Sequence, residues 1–399
     1  MEIRVVGRSK RESVFSLDGA LDMVGLASGI CYMSDDFDTL ASTEDSERRI
    51  ERARSVLERG HHSVAGHVYY NLLIEDAPKI IAMILNNEQI YDTSEKSARY
   101  TKMRLSGREA ELYEKWQGIF EDLISKTYPG LSGRQVKKFA LENARFFISV
   151  FAPSTTMMYT INLRQANYIV AYCDHFLNSD NRELMVSPHF LEKLRPYITK
   201  LRDQLHGLLG VENLVPPKEF GHFSLFACER RKEEFGESYS VNYTASLTQL
   251  AQAQRHRKIS YELSYLSDAG LLYEPPILKQ ADVARSQEYL DDLKSIVDDF
   301  PQALQVIVNE RGLFESFVRK CGERLCGDAQ LEICLRSYET AKRYHDALKR
   351  DVEMGLNHHA RKVEVLERIL EGNARCCFSS YNCHKACFWG PRHIFDRLI

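Results

Sequence analysis

Arg255-His256-Arg257 is a run of three cationic or imidazole side chains, followed by Lys258, Ser260, Tyr261, Glu262 and Ser264. Arginine presents forked donors that match phosphate oxygens. Three such groups with hydroxyls and a carboxylate close behind suit a phosphate or pyrophosphate ligand. Alone, the run would read as a basic helix end that complements the macrodipole. A second concentration of chemistry lies in the tail: Cys376-Cys377, Cys383-His384 and Cys387. Four cysteines, or three cysteines and a histidine, bind zinc tetrahedrally. The expectation is a structural zinc on Cys377, Cys383, His384 and Cys387, with Cys376 as substitute; the bland alternative is incidental thiols. Ten cysteines in 399 residues make no disulfide scaffold, and the tail cluster reads as metal before disulfide.

These groups need elements to position them. The clearest linker is 207–222, where Pro216-Pro217 cannot sit inside a helix. It suggests a first domain at 1–210 and a second at 220–399. In the first, 18–32, 44–60, 78–90, 108–127, 134–150 and 190–209 show helical spacing, and 66–74 reads as a strand. In the second, 222–229 and 237–246 read as strands. Helices are expected at 247–257, 286–297, 301–321 and, with a long charged face, 328–371. Both halves share an order: strand, helix, Glu-x-Ser (Glu95 to Ser97, Glu262 to Ser264), then Asn-x-Arg (Asn162 to Arg164, Asn309 to Arg311). A duplicated domain explains that order better than chance.

Arg-His-Arg followed by Ser264 resembles the signature of the flavin-dependent thymidylate synthases, the ThyX family: Arg-His-Arg, seven residues, Ser. Here six residues separate Arg257 from Ser264. The context is similar too. Gln252 stands where the family often has a nucleotide-contacting Gln. Asn309-x-Arg311, then Arg324, then Ala329-Gln330-Leu331-Glu332-Ile333 follow the family's order. In the first half, Ala27 to Tyr32 with Ser34 looks like the end of its first helix. Gly60-His61-His62-Ser63 with His67 looks like its Gly-His-x-Thr segment. Glu95-Lys96-Ser97-Ala98-Arg99-Tyr100 looks like its Glu-x-Ser-x-Arg-Tyr, and Arg145 sits near a family arginine that holds the nucleotide.

The resemblance implies an α+β fold of two tandem ThyX-like domains, helices packed on small antiparallel sheets. It implies transfer of a one-carbon unit to C5 of a uracil nucleotide, dUMP to dTMP. FAD is the implied cofactor, with NADPH and methylene-tetrahydrofolate as co-substrates. It assigns catalysis to Ser97, Arg99 and Arg324. Substrate binding falls to Glu95, Ser97, Ala98, Arg99, Arg145, Gln252 and Arg324. Cofactor binding falls to Ser34, His61, Ser63, Asn162, Arg164, Arg255, His256, Arg257, Glu262, Asn309 and Arg311. Ser97 has no adjacent His or Asp to make it a hydrolase nucleophile.

The halves depart from the family in opposite ways. The first has Asn86-Asn87-Glu88-Gln89 where Arg-His-Arg is expected, a quartet that cannot serve a pyrophosphate. The second has Leu266 where an arginine is expected and no evident Arg145 counterpart. The expectation is a composite site drawn from both halves, in a homodimer that mimics four domains. The rivals are a related pyrimidine methylase or hydroxymethylase and a non-catalytic flavin- or nucleotide-binding scaffold.

Composition narrows the class. Lys+Arg at 53 against Asp+Glu at 56 gives −3, unlike the basic balance of a nucleic-acid-coating protein. No apolar run approaches a membrane span, and the charged start lacks a signal-peptide core. A cytoplasmic protein acting on a small-molecule nucleotide, without nucleic acid or membrane, is expected. No G-x-G-x-x-G or Walker loop suggests a Rossmann flavoprotein or a kinase.

Overall fold

The structure is a computed structural model that describes residues 1–8, 16–30, 42–209, 221–266, 270–378, 383, 387–391 and 393–399. The chain divides into two compact units, neither continuous in sequence. Unit 1 comprises Met1–Lys96, Pro153–Arg182 and Leu191–Ser224. Unit 2 comprises Ser97–Ala152, Glu183–Phe190 and Leu225–Ile399. This division differs from the sequence boundary at 210–220, and a core contact shows why. Trp116, on the helix Gly107–Thr127, is fully buried, stacks on Phe147 at 5.7 Å and meets Tyr289 edge-on at 5.0 Å. Aromatic burial of this size holds the Ser97–Ala152 segment within unit 2.

Unit 1 is built on an antiparallel sheet of β1 (Glu2–Arg8), β2 (Tyr69–Pro78), β3 (Asp92–Glu95) and β4 (Pro153–Asn162), in the order β1-β2-β4-β3. Tyr70, Leu72 and Ile74 alternate inward along β2 and are fully buried. The helices Leu17–Gly29 and Ser46–Glu58 are capped by Ser16 and Asp45. They cross closely: a Cβ on Gly25 would lie 1.9 Å from the carbonyl oxygen of Arg49, so only glycine fits there.

Unit 2 repeats the plan with β5 (Glu234–Phe235), β6 (Ser238–Ser246), β7 (Ile259–Ser264) and β8 (Gln305–Leu313), ordered β5-β6-β8-β7. In both sheets the second strand feeds a helix of 7 residues, Lys79–Leu85 in unit 1 and Leu247–Ala253 in unit 2. The protein is thus α+β with small antiparallel sheets.

Several expected elements change. Helix 247–257 stops at Ala253, which leaves Arg255, His256 and Arg257 in the following turn. Residues 222–229 form no strand, only a bridge from Phe226 to Leu263. The helix expected at 301–321 is β8 followed by the helix Phe314–Arg324. Val306 and Val308 point inward in alternation there, a period of two inside what reads as a helical stretch. The long helix at 328–371 is two, Leu331–Glu353 and Ala360–Gly372. Gly355 at φ +96° ends the first, its N–H donating to Val352.

Register separates the two repeated motifs. Glu95 pairs with Met157 across β3–β4, and Glu262 pairs with Asn309 across β7–β8. The strand-to-helix corners are Pro78 opposite Pro153 and Ser246 opposite Gln305. Asn309 lies four residues beyond its corner partner, as Met157 does beyond Pro153. Glu95 and Glu262 are therefore equivalent. Asn162 and Asn309 are not, so the Asn-x-Arg part of the repeat is a coincidence of sequence.

Candidate active site

Unit 2 brings together residues from distant stretches of the chain. Arg99 follows β3; its Nε donates to Glu142 at 2.5 Å and a terminal nitrogen donates to the Asp328 carbonyl at 2.5 Å. Arg145 stands where the helix Gly133–Ala144 ends. It is 6% exposed, and its Nε and one terminal nitrogen have no hydrogen-bond partner among the described residues. Burial pushes the Arg145 pKa down to about 10, with Glu142 opposing and Arg99 adding to the fall. Burial pulls the Arg99 pKa down, but Glu142 outweighs it and the net shift is upward. Glu142 resists its own burial because Arg99, Arg145 and Lys138 hold it ionised.

The second set is joined to the first by electrostatics. Arg324, at the end of Phe314–Arg324, donates from Nε to His256 Nε2 at 2.7 Å and from a terminal nitrogen to the Gln252 carbonyl at 3.3 Å. Burial lowers the Arg324 pKa, with Arg99 and Arg255 adding to the fall against Glu323. His256 is pushed down to about 2 by burial, then by Arg324 and Lys320. It is therefore neutral, accepts from Arg324 on Nε2 and carries its proton on Nδ1. Gln252 Nε2 donates to Gln330 at 3.2 Å. Gln330 in turn reaches Glu332, which accepts from the Ser246 amide at 2.7 Å and its hydroxyl at 2.5 Å. Arg255 is exposed and Arg257 half-buried in the turn.

Other expected site residues have structural work. Glu262 accepts from Arg231 Nε and a terminal nitrogen, both at 3.1 Å, and also pairs with Arg311. Asn309 Nδ2 donates to Ser240 at 3.0 Å and Asn242 at 3.2 Å within the sheet. Between Asn309 and Arg311, Glu310 is fully buried against Lys320 at 2.5 Å and accepts from Tyr239 and Tyr243 at 2.7 Å each. Ser97 Oγ accepts from the Arg99 amide at 3.4 Å. Ala98 packs against a core that includes Met103, Tyr113 and Leu141.

In unit 1, Glu95 is held by Lys79 at 2.5 Å, Thr155 at 3.0 Å and Asn86 at 3.4 Å. Asn162 caps the helix Leu163–Asn178, accepting from the Gln165 amide at 2.8 Å. Arg164 lies in the first turn of that helix. His61 and Ser63 are exposed, and it is the neighbouring His62 that contacts Tyr168, at 3.1 Å. Ser34 and His384 lie outside the described residues.

A cavity of about 420 Å³ in unit 2 is walled by Arg99, Tyr100, Lys138, Phe139, Phe388 and Trp389, among others. Lys138 sits 5.5 Å from the Tyr100 ring and 5.0 Å from Phe139. Among the described residues, no group of three or more His, Cys, Asp or Glu side chains could hold a metal ion. No helix among them is long and apolar enough to cross a membrane. Glu142, Asp328 and Glu332 join the arginines and Gln252 in this network. Glu332 was visible in the Ala-Gln-x-Glu-Ile motif, whereas Glu142 and Asp328 carry no local signature.

Residues 14–183 match the family model described as Thymidylate synthase complementing protein, Thy1. That stretch of the chain is similar to the Thy1 family. Among solved structures, a flavin-dependent thymidylate synthase ThyX from Helicobacter pylori, complexed with FAD and dUMP, is 18% identical. That match covers 54% of this chain and 100% of the other, with a TM-score of 0.32. A UMP/dUMP methylase, PolB from Streptomyces cacaoi, bound with 5-Br dUMP, is 14% identical over 54% of this chain and 97% of the other, with a TM-score of 0.32. No curated protein matches the chain.

Proposed function

We propose that this chain methylates a uracil nucleotide at C5 with a bound flavin, converting dUMP to dTMP, at one site per chain assembled in unit 2. The observation that carries the reading is Arg145: a buried guanidinium with two nitrogens lacking hydrogen-bond partners among the described residues, beside Arg99, which in turn acts on Arg324. A buried cation left with open donors suits an anionic ligand. The Thy1 match supplies the class of that ligand.

The residues present fit FAD. Arg255 and Arg257 stand in a turn after Leu247–Ala253, where charge-assisted donors would hold a pyrophosphate. When bound, the flavin supplies the redox step of the one-carbon transfer. The protein's own groups bind and orient. Arg99 and Arg145 clamp the nucleotide phosphate, with Glu142 fixing the Arg99 fork. Neutral His256 holds Arg324 so that its free edge stabilises charge developing on the uracil carbonyls. Gln252 and Ser97 position the base. The basic, aromatic-walled cavity beside Arg99 suits a flat anionic co-substrate such as methylene-tetrahydrofolate, with NADPH as reductant. His61, Ser63 and Arg164, together with Ser34, are the remaining residues expected to bind flavin, and the assembly would be a homodimer of tandem-duplicated chains.

The test is a titration of the purified flavoprotein with dUMP, followed by the bound-flavin spectrum. One nucleotide per chain is expected. Two equivalent sites per chain, or protein that retains no flavin, would overturn the reading.

A further inference from the structure

The cavity of about 420 Å³ in unit 2 carries an unbalanced charge. Arg99, Arg134, Lys137 and Lys138 stand on its wall against one carboxylate, Asp328. Two of these cations are already engaged. Arg99 donates to Glu142 and to the Asp328 carbonyl, and Lys138 pairs with the Asp328 carboxylate at 3.3 Å. Arg134 and Lys137 are exposed on the helix Gly133–Ala144 and make no hydrogen bond or ion pair among the described residues. Three positions apart, they are neighbours on one side of that helix. The same wall exposes two aromatic rings, Tyr100 at 64% and Phe388 at 43%. Beside Phe388, Trp389 meets Tyr128 edge-on at 4.8 Å, and a Cβ on Gly327 would lie 2.4 Å from its indole. The aromatic side of the cavity is therefore held in place by close packing.

Exposed rings suit a flat aromatic ligand, and cations without partners suit anionic groups. The two engaged cations are largely neutralised by Glu142 and Asp328, whereas the two unpaired ones lie on the solvent-exposed edge. A folate is a flat ring system joined to glutamate, and each further γ-linked glutamate adds a carboxylate and no apolar surface. Such a tail gains little inside a pocket and gains most along an exposed cationic edge. We propose that the cavity binds a reduced folate bearing several γ-linked glutamates, with its rings against Tyr100 and Phe388 and its tail carboxylates on Arg134 and Lys137. The proposal rests on the co-substrate reading above for the rings; the tail site rests on the two unpaired cations. Single-stranded nucleic acid also combines rings with anions, but it needs a groove of cations that tracks a long backbone. Here the excess is confined to one cavity of a chain whose net charge is −3.

The experiment measures binding of 5-formyl-tetrahydrofolate, with one glutamate and with five, to the full chain by calorimetry at low ionic strength. The pentaglutamate should bind about tenfold tighter, since each exposed charge pair contributes little, and the advantage should shrink as salt rises. Arg134→Gln with Lys137→Gln, at two exposed positions, should erase the advantage and leave monoglutamate affinity unchanged. Lys349→Gln with Arg350→Gln removes the same charge away from this wall and should keep the advantage; its loss there would overturn the assignment. Monoglutamate binding with no gain from the tail overturns the tail site and leaves the folate reading standing. No binding of either form overturns both. A single-stranded oligonucleotide that binds tighter than the pentaglutamate, and does so through Arg134 and Lys137, assigns the cavity to nucleic acid and overturns the proposal.

Discussion

The turn after Lys79–Leu85 and the turn after Leu247–Ala253 occupy the same place in two sheets of the same strand order. Their chemistry is opposite. In unit 1 the third residue past the helix is Glu88, 5% exposed, accepting from the Ser224 amide at 2.7 Å and its hydroxyl at 2.9 Å. Asn87 donates to the same hydroxyl at 2.8 Å. In unit 2 the third residue is His256, neutral and bonded to Arg324, with arginines on either side. One turn is closed on its own chain by a serine; the other presents cations. The scaffold fixes where a turn sits, and side chains alone decide whether that turn can receive a phosphate.

The largest effect should come from Arg145. Arg145→Met keeps most of the side-chain volume and removes the two open donors. A charge-assisted bond is worth about 1.5–3 kcal/mol, so dUMP binding should weaken about 100-fold or more, read by titration of the bound flavin. Unchanged binding would break the claim that unit 2 holds the nucleotide. Next is the pair of turns themselves. Arg255→Ala with Arg257→Ala should strip the flavin, with an affinity loss of about 100-fold from two lost phosphate contacts. Gln89→Ala in the matching turn of unit 1 should leave flavin content unchanged. Flavin lost equally from both variants would erase the difference between the units.

The two turns should also respond oppositely to acid. Burial raises the Glu88 pKa from its ordinary 4.5 to about 7. A raised carboxyl contributes stability that is fully present below 4.5 and lost as pH rises toward 7, about 3 kcal/mol across that window. Burial pushes His256 from 6.5 down to about 2. Its contribution is fully present above 6.5 and lost as pH falls from there, because only the unfolded chain takes up the proton. Lowering pH from 6.5 to 5 should therefore slow hydrogen exchange around 86–90 and speed it around 254–258. Glu88→Gln should abolish the first change and leave the second.

The legibility of the sequence followed the same physics. Gly133–Ala144, with its Ser132–Gln135 capping box, and Gly107–Thr127, with its clear apolar spacing, are legible because their signals are local. The strand β8 reads as helix in sequence because QVIVNERGL sits directly against the helical run that follows it. Arg255 to Arg257 and Arg99 stand in local motifs, and Arg145 stands only near the place of an arginine of the resembled family. Glu142 and the Asp328 carbonyl stand in none, since their role depends on tertiary approach to Arg99. Cys326, Cys376, Cys383 and Cys387 line one small cavity; three of them stand in the tail, and the fourth comes from a distant loop.

The smallest expected effect tests the repeat itself. Asn162-Leu163-Arg164 and Asn309-Glu310-Arg311 look alike in sequence, yet one asparagine ends a strand and the other sits inside one. Asn162 satisfies the Gln165 amide at the start of Leu163–Asn178, so Asn162→Ala should cost about 1 kcal/mol, the usual worth of an N-cap. The loss belongs to a helix of unit 1 and should appear in denaturant unfolding, with flavin content unchanged. Asn309→Ala deletes donors to Ser240 and Asn242 inside a buried sheet and leaves those groups short of partners, a cost of about 1–3 kcal/mol. If the two asparagines were equivalent flavin ligands, both variants would shed flavin in parallel and neither would show a stability loss of its own. Separate stability losses with flavin retained in Asn162→Ala would leave the Glu-x-Ser pair as the likeness between the two sheets, where Glu95 and Glu262 face equivalent positions of their partner strands.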